Sequence, residues 1–136
     1  MHTDNSALYR ALKGFTIAIV GGDPREIQLA RLQRGFDLDR VVHLPTRRSD
    51  PSPRAFGAAL RRPDIVLVVW LCGLSRTNHG KQLRAICRTL GIPWVDCLRI
   101  PHPHLLDARI DELHLLDAIL CRRARVESLQ KTGGGL

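Results

Sequence analysis

Aromatic residues are only 4% of this 136-residue chain, which leaves little from which to build a base-stacking surface. Lysine is nearly absent while arginine is abundant, and the formal net charge is +8. Such a balance would by itself point to nucleic acid. The arginines, however, are spread along the chain, and only the Arg122-Arg123-Ala124-Arg125 cluster and the Arg47-Arg48 pair read as patches. Nucleic acid is therefore not the expected partner, and small anions bearing carboxylates or phosphates are a more natural use for so many guanidinium groups. Cysteine motifs are missing as well: Cys72, Cys87, Cys97 and Cys121 form no C-x-x-C, no C-x-x-C-H and no zinc-finger spacing. They read as reduced, mostly packed thiols of a cytoplasmic protein. The longest apolar run, Ile65 to Leu74, is too short to span a bilayer, and Met1 to Asn5 lacks the basic and apolar regions of a signal peptide. A soluble chain with no membrane partner is expected. There is no nucleophile elbow, no H-E-x-x-H and no acid and base paired at a defined spacing, so no catalytic set is assigned.

What is present centres on Phe15-Thr16-Ile17-Ala18-Ile19-Val20-Gly21-Gly22-Asp23-Pro24-Arg25. The β-branched run without polar alternation suits a strand covered on both faces. Gly21 and Gly22 allow a tight turn, Asp23 suits a helix cap and Pro24 a first helical position. Before it, Asn5 to Lys13 reads as a short helix ended by Gly14, free to pack on a neighbour. After it, Pro24 to Arg34 reads as a crossover helix with Ile27, Leu29, Ala30 and Leu32 inward and Gly35 as its stop. Arg40 to Leu44 is a second strand, and Thr46 to Pro53 a polar loop. Pro53 to Leu60 is a short helix. Asp64 to Trp70 is the strongest strand signal and belongs at the centre of the sheet. Ser75 or Thr77 caps a third helix reaching Leu90, with Gly91 as terminator. Ile92 to Asp96 is a fourth strand whose proline favours an edge.

Strand and helix alternate throughout, which predicts an α/β fold: a small Rossmann-like or flavodoxin-like parallel sheet of four strands with flanking helices. Leu105 to about Leu129 reads as one long final helix whose apolar arc covers more than half its circumference. One sheet face would need less. A homodimer is expected on that ground, with exchange of this helix across the Ile100-Pro101-His102-Pro103-His104 hinge as one way to build it. The division is residues 1–14 for the N-terminal helix, 15–99 for the α/β domain, 100–130 for the hinge and dimerisation helix, and 131–136 for a disordered tail.

Two loops should converge at the carboxyl edge of the sheet, beside the first strand. That places Gly21, Gly22 and Arg25 near Ser75, Arg76, Asn78 and His79, a set of cations, hydroxyls and helix starts suited to an anionic ligand such as a nucleotide. Gly21-Gly22-Asp23-Pro24-Arg25-Glu26 is not G-x-G-x-x-G and no G-K-[ST] follows it, so ordinary dinucleotide and P-loop readings fail. Histidine is the other candidate chemistry. His43 ends the second strand, His79 opens the third helix, and His102 and His104 sit on the hinge. A helix start disfavours a protonated imidazole, which favours His79 as a metal ligand. A strip of His104, Asp107, Asp111 and His114 on the last helix could hold a divalent metal, although a solvated stripe is its ordinary explanation.

Ile17-x-Ile19-Val20-Gly21-Gly22-x-x-Arg25, the apolar strand Asp64 to Trp70, and Ser75-x-x-Asn78-His79 followed by a helix and Gly91-Ile92-Pro93 resemble the bacterial family catalogued as domain of unknown function 2325. The resemblance spans Phe15 to Asp96. It implies a small Rossmann-like domain that binds haem b non-covalently and binds or senses dioxygen. Under it His79 is the first choice for the proximal iron ligand, with His43 and His104 as rivals. Arg25, Arg76 or the Arg47-Arg48 loop would pair the propionates.

Overall fold

The computed structural model describes residues 6–22, 25–44, 58–72 and 77–134, the side chains of 77–79 and 130–134 excepted. Its sheet has four strands in the order β2-β1-β3-β4. These are β1 (Thr16–Val20), β2 (Arg40–Leu44), β3 (Ile65–Leu71) and β4 (Trp94–Cys97), and every neighbouring pair is parallel. The unbroken apolar runs take the two middle positions, where both faces are covered: β1 is buried throughout, and β3 everywhere except Trp70. β4 is an edge, as its proline suggested.

The helices flanking the sheet among the described residues include α1 (Ala7–Leu12), α2 (Glu26–Gly35), α3 (Thr77–Leu90), α4 (Pro103–Glu112) and α5 (Leu116–Gly134). On one face, Ile17 and Ile19 of β1 and Val69 of β3 pack with Leu12 of α1, Leu32 of α2, Leu106 of α4 and Val126 of α5. On the other, Ala18, Val20 and Val68 pack with Leu60 and with Leu83 and Cys87 of α3. Crossovers α2 and α3 thus lie on opposite faces, so the sheet is doubly wound with its switch point between β1 and β3. Thr16 pairs with Ile65 but Ile17 with Leu67. The extra residue Val66 is a bulge, and it lets Val66 and Leu67 both enter the same layer.

Several expectations are corrected. The first helix does not reach out to a neighbour: Leu8, Ala11 and Leu12 are buried in the core of their own chain. Ser6 caps it, its Oγ accepting from the Tyr9 N–H at 2.9 Å. Helix α2 begins at Glu26 rather than Pro24, with Arg25 in the capping position. Its Ile27 faces solvent at 76% exposure. Gly35 is the last residue of α2 rather than its left-handed stop, and a Cβ there would fall 2.5 Å from Pro103 Cγ. The left-handed residue is Asp37, past the Phe36 cap, with φ +48.

The last segment is not one helix. Leu113 ends α4, and His114 adopts φ +54. The His114 N–H donates to Asp111 O and the Leu115 N–H to Ile110 O, both at 3.1 Å. This is the left-handed helix stop that glycine usually supplies. The Asp37 stop of α2 and the Gly91 stop of α3 have the same pair of bonds. Helix α5 then runs to Gly134, past the expected end near Leu129, and packs along β3 and α1. The Thr46–Pro53 loop and most of the Pro53–Leu60 helix lie outside the described residues, where only 58–60 are seen as a helical turn.

Candidate functional site

The carboxyl end of β1 turns through Gly21 at φ +110 and Gly22 at φ +68, angles that a side chain rarely tolerates. Both main-chain groups of Gly21 are tied to β2. Its N–H donates to Leu44 O at 2.9 Å. Its carbonyl lies 2.8 Å from His43 Nε2. A carbonyl can only accept, so His43 carries a proton on Nε2 and turns Nδ1 away from this bond. His43 therefore braces the glycine turn. Arg25 follows at the start of α2, exposed, and its own side chain makes no capping hydrogen bond.

Across the switch point, Val20 pairs with Trp70 at the end of β3. A Cβ on Gly80 would come within 2.2 Å of the Trp70 ring, so the first turns of α3 sit directly on the indole. Among the described residues the buried Trp70 Nε1 has no acceptor. Ser75 and Arg76 lie outside the described residues, and Asn78 and His79 are placed only as backbone in the opening of α3. The topology thus sets the α3 opening beside the glycine turn.

The ends of β3 and β4 border an open groove of about 780 Å³ lined by Cys72, Cys97, Leu98, Ile100, Leu105 and Arg109, among others. Leu98 and Leu105 are 71% and 65% exposed. Arg109 bridges Asp96 at 3.2 Å and Glu112 at 3.3 Å. The Cys72 thiol donates to Cys97 O at 3.5 Å. Burial pushes the Cys97 thiol up to about 11, Arg109 opposing and Asp96 and Cys72 adding to the shift. The Cys97 group is consequently a neutral thiol. The groove was not read from the sequence, although the over-wide apolar arc beginning at Leu105 was its signal.

His104 sits elsewhere. Pro103 packs on Gly35, the last residue of α2, and His104 follows it in the first turn of α4. Its ring stacks on His102 at 4.9 Å, and its N–H donates to His102 Nδ1 at 3.3 Å. Desolvation, then His104 and Arg31, keep the His102 pKa below its ordinary value, which suits this accepting role. The turn at His114 interrupts the strip of His104, Asp107, Asp111 and His114. Among the described residues no three His, Cys, Asp or Glu side chains gather in a way that could hold a metal.

Sheet order, opposite crossovers and the glycine turn define a small α/β domain of the Rossmann and flavodoxin type. No family model matches the chain, no curated protein matches it in sequence and no solved structure matches it. Among the described residues no helix is long and apolar enough to cross a membrane.

Proposed function

We propose that this chain is a ligand-binding domain that takes an anionic small molecule, such as a nucleotide, at the carboxyl edge of the sheet between β1 and β3. One observation carries the reading: the Gly21-Gly22 turn, held on both its N–H and its carbonyl, stands at the switch point beside the first turn of α2, where the Arg25 side chain makes no capping hydrogen bond. Helix N-termini at that place are the usual anion sites of doubly wound sheets, and Arg25 adds a cation. A thermal-shift panel of nucleotides and simpler phosphates tests it. A ligand at a hundred times its Kd should stabilise the fold by about 2.7 kcal/mol. Gly21→Val and Arg25→Gln should each remove most of that gain. A flat response across the panel overturns the reading.

Haem b, with dioxygen as its ligand, is the second reading. Its support is the resemblance to the domain of unknown function 2325 family together with an apolar groove at the same edge. The groove offers room and a cation in Arg109. Among the described residues no histidine lines it. The iron ligand would then be His79. A Soret band on adding haem to the chain, lost in His79→Ala, supports this reading, and no band removes it. A homodimer belongs to either reading, with exposed Leu98 and Leu105 as the apolar contact. Sedimentation showing only monomer at micromolar concentration removes it.

A further inference from the structure

The Arg122-Arg123-Ala124-Arg125 run is not a surface patch. Arg123 points back along the chain: its guanidinium donates to Arg10 O at 2.8 Å and to Glu127 at 3.1 Å, and covers the Phe15 ring at 4.9 Å. Arg122 is only 7% exposed. It donates through Nε to Ile65 O at 2.8 Å and through one terminal nitrogen to Leu90 O at 3.3 Å. These bonds pin α5 to the start of β3 and the end of α3. Among the described residues its remaining donors have no protein acceptor, and Arg122 lines a cavity of about 360 Å³. Arg88 and Arg125 line the same cavity, with Trp94, Gly91 and Cys121.

No carboxylate is among the lining residues. The acid that most favours Arg122's charge is Asp64, and Arg62 already holds it at 3.0 and 3.2 Å. Arg125, by contrast, acts on Arg122 as a like charge, adding to the cost of burial. The carbonyls ending α3 offset part of this charge. Arg122 is thus a buried charge with the like-charged Arg125 beside it, and exposed Arg88 lines the same cavity, with no carboxylate in the lining to offset them.

We propose that this cavity binds a small phosphate-bearing anion, gripped by Arg88 and Arg125 against the unoccupied donors of Arg122, with Trp94 as an apolar wall for whatever the phosphate carries. Several guanidinium groups favour an oxyanion of more than one charge over a lone carboxylate. The site lies at the amino edge of the sheet, opposite the glycine turn, and does not depend on it.

Cys121 lines the cavity and is exposed, so it reports on occupancy. The test uses the full chain, with pyrophosphate against chloride at constant ionic strength, and follows the alkylation rate of Cys121. Saturating pyrophosphate should slow that rate about tenfold. Arg88 and Arg125 are exposed and form no ion pair or hydrogen bond among the described residues, so an Arg88→Gln/Arg125→Gln double variant should fold normally. Protection should disappear in it and persist in Gly21→Val. An unchanged alkylation rate in pyrophosphate, or protection surviving in the double variant, overturns the proposal. Pyrophosphate binding that leaves Cys121 unprotected places the anion at the carboxyl edge instead, which removes this site while sparing the other reading.

Discussion

The two ends of the sheet are built on different physics. At the carboxyl edge the chain is shaped by what glycine permits: a left-handed double glycine turn, main-chain bonds to β2, and Gly80 laid against the Trp70 ring. At the amino edge it is shaped by charge: a buried guanidinium satisfies main-chain carbonyls of β3 and α3 and leaves a basic cavity beside it. Close packing tolerates no added atom, whereas an anchored charge tolerates no missing one. The edge that family resemblance favours for ligands is thus a rigid frame, and the edge that drew no attention holds the uncompensated charge.

The comparison breaks first if Arg122 can be spared. Arg122→Met should cost about 3 kcal/mol in urea unfolding, because hydrogen bonds from a charged group are lost and two carbonyls are left buried. A loss under about 1 kcal/mol would mean that the amino edge does not rest on charge. Gly80→Ala tests the other edge. Overpacking against the indole should cost about 2 kcal/mol and shift Trp70 fluorescence, and a neutral result would show that the ring can move aside.

Cys87 links the ends, since it lies under α3 and also lines the basic cavity. Burial raises its thiol from 9.0 to about 12. The unfolded chain therefore loses this proton first. Stability is fully present below pH 9 and falls as pH rises toward 12, by about 1 kcal/mol at pH 10. Cys87→Ala should flatten this alkaline slope in denaturation curves taken from pH 8 to 10, whatever it does at neutral pH. An unchanged slope would mean that the thiol ionises in place, relieved by the arginines. The smallest effect is at the interhelical turn: His114→Gly should raise stability by about 0.5 kcal/mol, relieving a left-handed residue against the added freedom of the unfolded chain. A lower Tm would show that the imidazole itself holds the turn.

Much of the frame was legible. The strands declared themselves by β-branched runs, β2 to the residue, and the glycine turn by its dipeptide. Helix stops were legible only where glycine makes them: Gly91 was read, while Asp37 and His114 adopt the same conformation without the residue type that announces it. For that reason the last segment was drawn as one helix, while the end of α2 fell within one residue of its place. Gly35 misled in the opposite sense, being small for Pro103 rather than for a turn.

At the candidate site the sequence named Gly21, Gly22 and Arg25 correctly as residues of the switch-point turn. It listed His43 as a possible metal ligand, where the fold uses it as a brace on Gly21 O. It saw Arg122, Arg123 and Arg125 as a patch or as composition, and could not see that Arg122 is buried. That fate depends on Ile65 and Leu90, which are 57 and 32 residues away along the chain. Periodicity and local turn chemistry act over a few residues and so determine which segments are strands and helices. Sheet order, the face each crossover takes, and the partner each polar group finds are long-range choices. Only the packed chain makes them, because only packing removes water from a guanidinium and obliges it to find a carbonyl.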